Sequence, residues 1–302
     1  MPALRLALGL LVLASAPLAA QGRPTDRLPV RRLAVAPDAS IRILNLAGSI
    51  RVSGWDYDSI TVAGTPPEGG GALLLGGSAR GVKVVVEANA ATDIPGTHLD
   101  IRVPRGVNLW VKSATATIAI EGVNGQVEAS TVTGAITVRG TPGVLVAESM
   151  EGDLDIAAPA RVTRLKTAGG AITVRHAAAE ITATSVSGAI RLLDARGVSS
   201  GRLESVSGSV LFNGAVAAGG SLDLQTHDAP IEILLPARQN AVVEVSAYAG
   251  KAINRIPGLT AVPGKGKVVR YRLGNGRARV AARSLKGDVS LRQLMPRPNP
   301  QP

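Results

Sequence analysis

Apolar residues in the middle of the chain come in pairs separated by one mostly polar residue, and the pairs recur at a fixed interval. The segments Thr131–Arg139, Met150–Ala157, Thr167–Arg175, Ser185–Leu193 and Ser205–Asn213 align on Gly134, Gly152, Gly170, Gly188 and Gly208. Successive glycines are 18, 18, 18 and 20 residues apart, and one further step back reaches Ala116. Two residues after each pivot stand Ile118, Ile136, Leu154, Ile172, Ile190 and Val210; four after stand Ile120, Val138, Ile156, Val174, Leu192 and Phe212. Such alternation is a strand with one buried face. A second strand precedes each pivot, with Ala129, Ala147, Leu165, Ala183 and Leu203 as its inward column.

A column of like residues at a fixed period predicts stacked coils, each laying its side chain about 4.8 Å from the one below. The expected fold is therefore all-β, a single-stranded β-solenoid or β-helix of coils of 18 to 20 residues with atypical capping units at the ends. No coil buries its apolar side alone, and each fully buried aliphatic side chain contributes roughly 1.5–3 kcal/mol. The pivot glycines are expected at turns that need positive φ. Thr131, Ser149, Thr167, Ser185 and Ser205 form a further column three residues before the pivots, read as structural corner hydroxyls rather than a ligand-facing array. Weaker units flank the run: Leu46–Gly64 before it, Gln225–Leu235 and Ser284–Arg292 after it, with Pro66–Gly81 a loop or inserted hairpin.

Composition agrees with this reading. Apolar residues make up 45% of the 302 and aromatics only 2%, so the core is aliphatic. The absence of cysteine excludes disulfides, thiolate nucleophiles, Cys-ligated zinc and a lipid-modified cysteine anchor. At the start, Arg5 followed by the apolar stretch Leu6–Ala16 and the small residues Ala19 and Ala20 reads as a secretory signal. It is too short to span a bilayer comfortably, and no later run approaches that length. The expected organisation is a signal peptide over 1–20, a linker over 21–34, the solenoid over 35–293 and a disordered proline-rich tail over 294–302. Export to the periplasm, cell surface or medium follows.

The sequence also resembles the "putative adhesin" family of bacterial exported proteins, β-solenoid domains of unknown function. The resemblance lies in Gly48–Ser49–Ile50 with Gly54–Trp55–Asp56, in the repeated Ser/Thr-Val-Ser/Thr-Gly-Ala-Ile units, and in Leu285–Lys286–Gly287–Asp288–Val289. It implies an interaction or adhesion role at the envelope and brings no catalytic residues with it.

Catalytic patterns are missing. His98, His176 and His227 stand far apart without metal-ligand spacing, and His227 beside Asp228 reads as a turn histidine. Glu151, Asp153 and Asp155 form the one dense acidic cluster, read as a solvated face rather than a metal or acid/base site, since neighbouring coils continue no carboxylate ladder. Trp55 and Tyr57 are expected on a capping strand. The chain is therefore read as non-enzymatic, with no cofactor and no metal; a polysaccharide-active β-helix enzyme is the more distant alternative.

Charge is what changes the picture. Up to Ala237 there are twenty Lys and Arg against twenty Asp and Glu; from Arg238 onward there are thirteen against two, so the whole net charge of +11 lies in the last fifth. Lys265 with Lys267, Arg270 with Arg272, and Arg277 with Arg279 are spaced two apart, which puts each pair on one strand face. Gly274–Asn275–Gly276 reads as the turn of a hairpin between two such strands. The resulting basic face is a candidate anion-binding site for lipopolysaccharide, anionic lipid or acidic polysaccharide. With only Tyr271 nearby, sequence-specific nucleic-acid recognition is not expected. The expected partner is thus an envelope protein or surface polymer, with a polyanion as the alternative.

Overall fold

The computed structural model of the chain describes residues 28–65, 71–88, 96–177, 179–263 and 267–294. The expected signal peptide, Lys265 and the tail after Leu294 lie outside the described residues. The described chain is all strand, turn and bend, with 25 strands.

The repeat register predicted from the pivots is the register of the ladder. One wall of the solenoid stacks β9 (Thr117–Glu121), β11 (Ile136–Arg139), β13 (Leu154–Ala157), β15 (Ile172–Arg175) and the first part of β17 (Ile190–Ser205) as parallel neighbours. Ile172 lies between Leu154 and Ile190 and is fully buried, as both columns of that wall are. The opposite wall stacks β8 (Asn108–Lys112), β10 (Gln126–Thr131), β12 (Val144–Ser149), β14 (Val162–Lys166), β16 (Ala179–Ser185) and the second part of β17. Its Ala129–Ala147–Leu165–Ala183–Leu203 column is buried along its length. β17 and β18 (Val210–Thr226) run unbroken round a corner from one wall to the other. β18 carries the chain's single phenylalanine, Phe212, entirely buried.

The pivot glycines have a different reason from the one expected. None of Gly134, Gly152, Gly170, Gly188 and Gly208 has positive φ. Instead, a Cβ on each would collide with the backbone carbonyl of the pivot one coil earlier: Gly170 against Gly152, Gly188 against Gly170. The close approach of stacked backbones excludes the side chain. The hydroxyl column locks the same corner. Ser185 Oγ accepts the Gly188 N–H at 2.9 Å and donates to the Ala168 carbonyl of the coil before, and Ser149 and Thr167 do the same for Gly152 and Gly170. These hydroxyls are buried and face backbone.

At both ends, order in space departs from order in sequence. β2 (Ser40–Leu44) and β3 (Gly48–Trp55) are not the outermost coil: they pair with β8 and β9 on one side and with the later β6 (Gly81–Ala88) and β7 (Thr97–Pro104) on the other. Beyond them lie antiparallel strands. β4 (Ser59–Gly64) pairs with β7, β1 (Leu28–Ala34) with β4, and β5 (Gly71–Ser78) with β6. Residues 28–34, expected as linker, are thus an edge strand, and the described part of Pro66–Gly81 is an arm of the β5–β6 hairpin.

The last coil, β24 (Ala278–Ser284) with β25 (Val289–Gln293), likewise inserts into the stack. It lies between β18 with β19 (Ile231–Leu235) and the earlier β20 (Ala241–Ala247) with β21 (Ala252–Asn254). β23 (Val268–Leu273) then adds antiparallel to β20, and the three-residue β22 (Ala261–Pro263) to β23.

Candidate anion-binding face

The expected alternation along β23 holds: Arg270 and Arg272 are exposed, while Tyr271 and Leu273 turn inward. The expected hairpin does not form. β23 and β24 are not neighbours, because β20 lies between them, parallel to β24 and antiparallel to β23. The segment Gly274–Asn275–Gly276 instead carries the chain across the end of β20, where Asn275 N–H donates to Asn240 Oδ1 at 3.2 Å.

This insertion changes the electrostatics. The basic pairs are not side by side but straddle an acid. Arg270 sits opposite Glu244, and Arg272 and Arg279 both sit opposite Val242. Glu244 accepts Arg270 Nε at 2.9 Å and Arg279 Nη2 at 3.0 Å. Partial burial raises the Glu244 carboxyl, but the hydrogen bonds and charges of Arg279 and Arg270 outweigh it and hold it below its ordinary value of 4.5. Lys267 donates to the Tyr248 carbonyl at 2.6 Å, and Arg272 to the Asn275 carbonyl at 3.3 Å. Arg277 is exposed in the connection.

The inserted coil also meets acids of the coil it packs beside. Arg283 lies 3.7 Å from Asp223, Lys286 is 2.9 Å from Asp228, and Arg292 is 3.0 Å from Glu232. The charge excess of the last fifth is therefore matched in part by carboxylates from the electrically balanced region before it. Of the sequence-predicted cations that the structure describes, Lys267, Arg272 and Arg277 remain without an acidic partner among the ion pairs of the described residues; Arg270 and Arg279 are committed to Glu244. The signal for Glu244 was present in β20, where Ala241, Val243 and Val245 alternate with outward positions. Pairing of β20 between the two basic strands required the tertiary fold.

Chemistry elsewhere is similarly occupied. Asp155, read as solvated, is held by Arg139 at 3.0 Å and Arg175 at 2.5 Å from the coils on either side. Asp153 precedes β13 and accepts the Ala171 N–H at 2.7 Å, so the two carboxylates are held by different partners. His227 and Asp228 lie in a surface bend, 2.6 Å apart, with Lys286 on the same carboxylate. The Trp55 ring packs edge-on to Tyr57, has Arg32 and Arg102 near it at 5.7 and 5.9 Å, and donates from Nε1 to the Ser59 carbonyl. Among the described residues no group of three or more His, Cys, Asp or Glu side chains is placed to hold a metal ion.

With this geometry in view, the chain is similar to solved bacterial structures. One is a putative adhesin from Bacteroides fragilis, 10% identical, with a TM-score of 0.41 over 89% of this chain and 98% of that one. Another is a putative adhesin from Parabacteroides distasonis, 9% identical, TM-score 0.36, over 88% and 96%. A third is a putative cell adhesion protein from Clostridium sporogenes, 8% identical, TM-score 0.25, over 88% and 99%. No protein-family model and no curated protein matches the chain. Among the described residues, no helix is long and apolar enough to cross a membrane.

The outer face of the wall built on β8 to β16 is the other extended feature. One row across it, following the strand register, reads Lys83, Arg42, Trp110, Glu128, Val146, Arg164, Thr182 and Arg202. Arg42 lies over the Trp110 ring at 5.8 Å, and Trp110 Nε1 donates to Glu128 at 3.0 Å. Around Trp110 the surface forms an open groove of about 470 Å³ with Leu44, Val85, Lys83 and Lys112.

Proposed function

We propose that this chain is an exported, non-catalytic interaction module of the cell envelope, working through the outer faces of a rigid solenoid. The observation that carries this reading is the division of labour along each strand. Inward positions are spent on one continuous aliphatic core, while outward positions hold mixed polar, cationic and aromatic side chains in fixed register. A ladder spaced about 4.8 Å apart presents those groups with little conformational entropy left to lose on binding. Export is supported by Arg5 and the apolar stretch to Ala16. The test is saturable binding of the purified mature protein to envelope fractions. Charge removal on the outer row, Arg164→Gln with Arg202→Gln, is expected to lower that binding while leaving the melting temperature nearly unchanged. Equal binding by the variant, or an intact Met1 on protein recovered from cells, overturns the reading.

A second reading, binding of an anionic polymer, is favoured by Lys267, Arg272 and Arg277, cations left over after the ion pairs form. Affinity for lipopolysaccharide or anionic vesicles would then fall with added salt, as counterion release requires. Arg272→Gln with Arg277→Gln is expected to remove that binding at unchanged stability. Absence of salt-sensitive binding by the wild type leaves the cations as a solubility device on a sheet edge.

A further inference from the structure

The two ends of the solenoid are guarded unequally. At the end nearest the C-terminus the outermost strands are short: β21 and β22 have three residues each, and β22 carries Pro263. At the other end β1 has seven residues, LPVRRLA, and includes Pro29, Arg31 and Arg32. Short length, proline and charge are the usual devices that keep an edge from pairing with another chain. β5 has none of them. It is eight residues long, GALLLGGS, without charge or proline, and it pairs with β6 alone among the described strands.

The direction of its free backbone groups can be read from the hairpin. Ser78 and Gly81 close the two-residue tip, so they form a hydrogen-bonded pair, and bonding then alternates along the strand. Ser78, Gly76, Leu74 and Ala72 therefore bond to β6, while Gly77, Leu75, Leu73 and Gly71 direct N–H and C=O outward. The Leu73 carbonyl accepts Arg31 Nη1 at 2.7 Å, which agrees with that assignment.

We propose that β5 is the contact strand of a symmetric dimer, pairing antiparallel with β5 of a second copy about a two-fold axis at Leu74. That register uses every outward group. Gly71 pairs with the partner's Gly77 and Leu73 with the partner's Leu75, each exchanging two hydrogen bonds, and the Leu73 carbonyl takes an amide of the partner in place of Arg31. Side chains agree with the same register on the outer face. Leu74, 44% exposed in the single chain, meets the partner's Leu74. The outward stripe Leu44–Val85–Leu74, on the same face, then continues across the axis into its copy.

Charge agrees as well. Lys83 lies beside Gly76 and Glu87 beside Ala72, and the two-fold places Gly76 next to the partner's Ala72. Lys83 and the partner's Glu87 thus share one row across two small residues, about 14 Å between Cα atoms, within reach of a lysine and a glutamate extended toward each other. A self-complementary edge of this kind closes on a second copy and goes no further. The proposal is independent of whether the chain binds an envelope partner.

The test is the mass of the purified mature protein in solution, by sedimentation across micromolar concentrations. The wild type is expected to show a concentration-dependent dimer. Leu74→Lys and Leu74→Glu each place like charges at the axis and are expected to be monomeric at unchanged melting temperature, and mixing the two is expected to restore a dimer. Val262→Lys, at the far end of the stack, is expected to leave the dimer intact. A wild type that is monomeric throughout, or a dimer that survives both Leu74 variants or is lost with Val262→Lys, overturns the proposal.

Discussion

Gly169 and Gly170 adjoin in sequence and differ in what surrounds them. A Cβ at Gly170 collides with the Gly152 backbone, whereas at Gly169 it would meet only ordinary van der Waals contacts with Met150 and Glu151. Gly170→Ala is therefore expected to destabilise by about 1–3 kcal/mol, the usual cost of forcing extra volume into a packed interior, and Gly169→Ala to be nearly neutral. Thermal melting of the two variants checks this. Ser185 offers a second test at the same corner. Ser185→Ala leaves the buried Gly188 N–H without its acceptor, with an expected loss of about 1–3 kcal/mol. Ser185→Thr is expected to be tolerated, since Thr131 and Thr167 fill the same column. Equal stability of the Ala and Thr variants would remove the hydroxyl column from the account. Asp155 carries a related lesson: Arg139 and Arg175 look like dispensable surface charges in the sequence, yet together they hold one carboxylate across three coils.

Among elements, the informative one is the inserted coil β24–β25. Its cations meet Asp223, Asp228 and Glu232 on one side and Glu244 on the other, which favours this position in the stack over continuation past β23. Hydrogen bonds from Lys286 and His227 hold the Asp228 carboxyl below the usual range, and Glu244 is depressed too. A carboxyl with a lowered folded pKa contributes stability above its unfolded value and loses it as pH falls through the folded one. The contribution of these contacts is therefore present at neutral pH and declines below about pH 4. Glu244→Gln is expected to lower the melting temperature at neutral pH, with the difference from wild type shrinking on acidification. A difference that does not change with pH would assign the role of Glu244 to packing rather than charge.

For the whole molecule, the exchange of coil order at both ends means that the segment last in sequence is not last in space. Removing residues 278–302 takes a coil from within the stack and leaves β20 and β21 without the neighbours that tie them to β18 and β19. Hydrogen exchange on that truncation is expected to show protection lost in β20, β21 and β23 while the coils from β8 to β16 stay protected, as nearest-neighbour stability in a solenoid predicts. Protection retained in β20 would contradict the inserted order. The core itself was legible: Ile172 with Leu154 and Ile190, and Ala129 with Ala147, occupy the columns that the 18-residue period assigns them. The candidate basic face was legible only by half. Arg270 and Arg272 face outward as the alternation requires, but the acid between Arg270 and Arg279 comes from a strand outside the predicted hairpin.

The sequence by itself determined the local and periodic properties of this protein. Alternation set which side chains face inward, the interval between pivots set which residues stack, and the column of hydroxyls marked the corner. These are consequences of strand geometry and of one repeat packing on the next, so a fixed period suffices to express them. Tertiary structure decided what the period does not encode: which strands become neighbours where the repeat breaks down. There the partner is chosen by long-range packing and charge, and it places β20 between two basic strands, the final coil inside the stack, and β5 at an open edge. It also decided why the pivots are glycine. A residue's own φ belongs to its own segment, whereas the carbonyl that excludes a Cβ at Gly170 belongs to the coil before it.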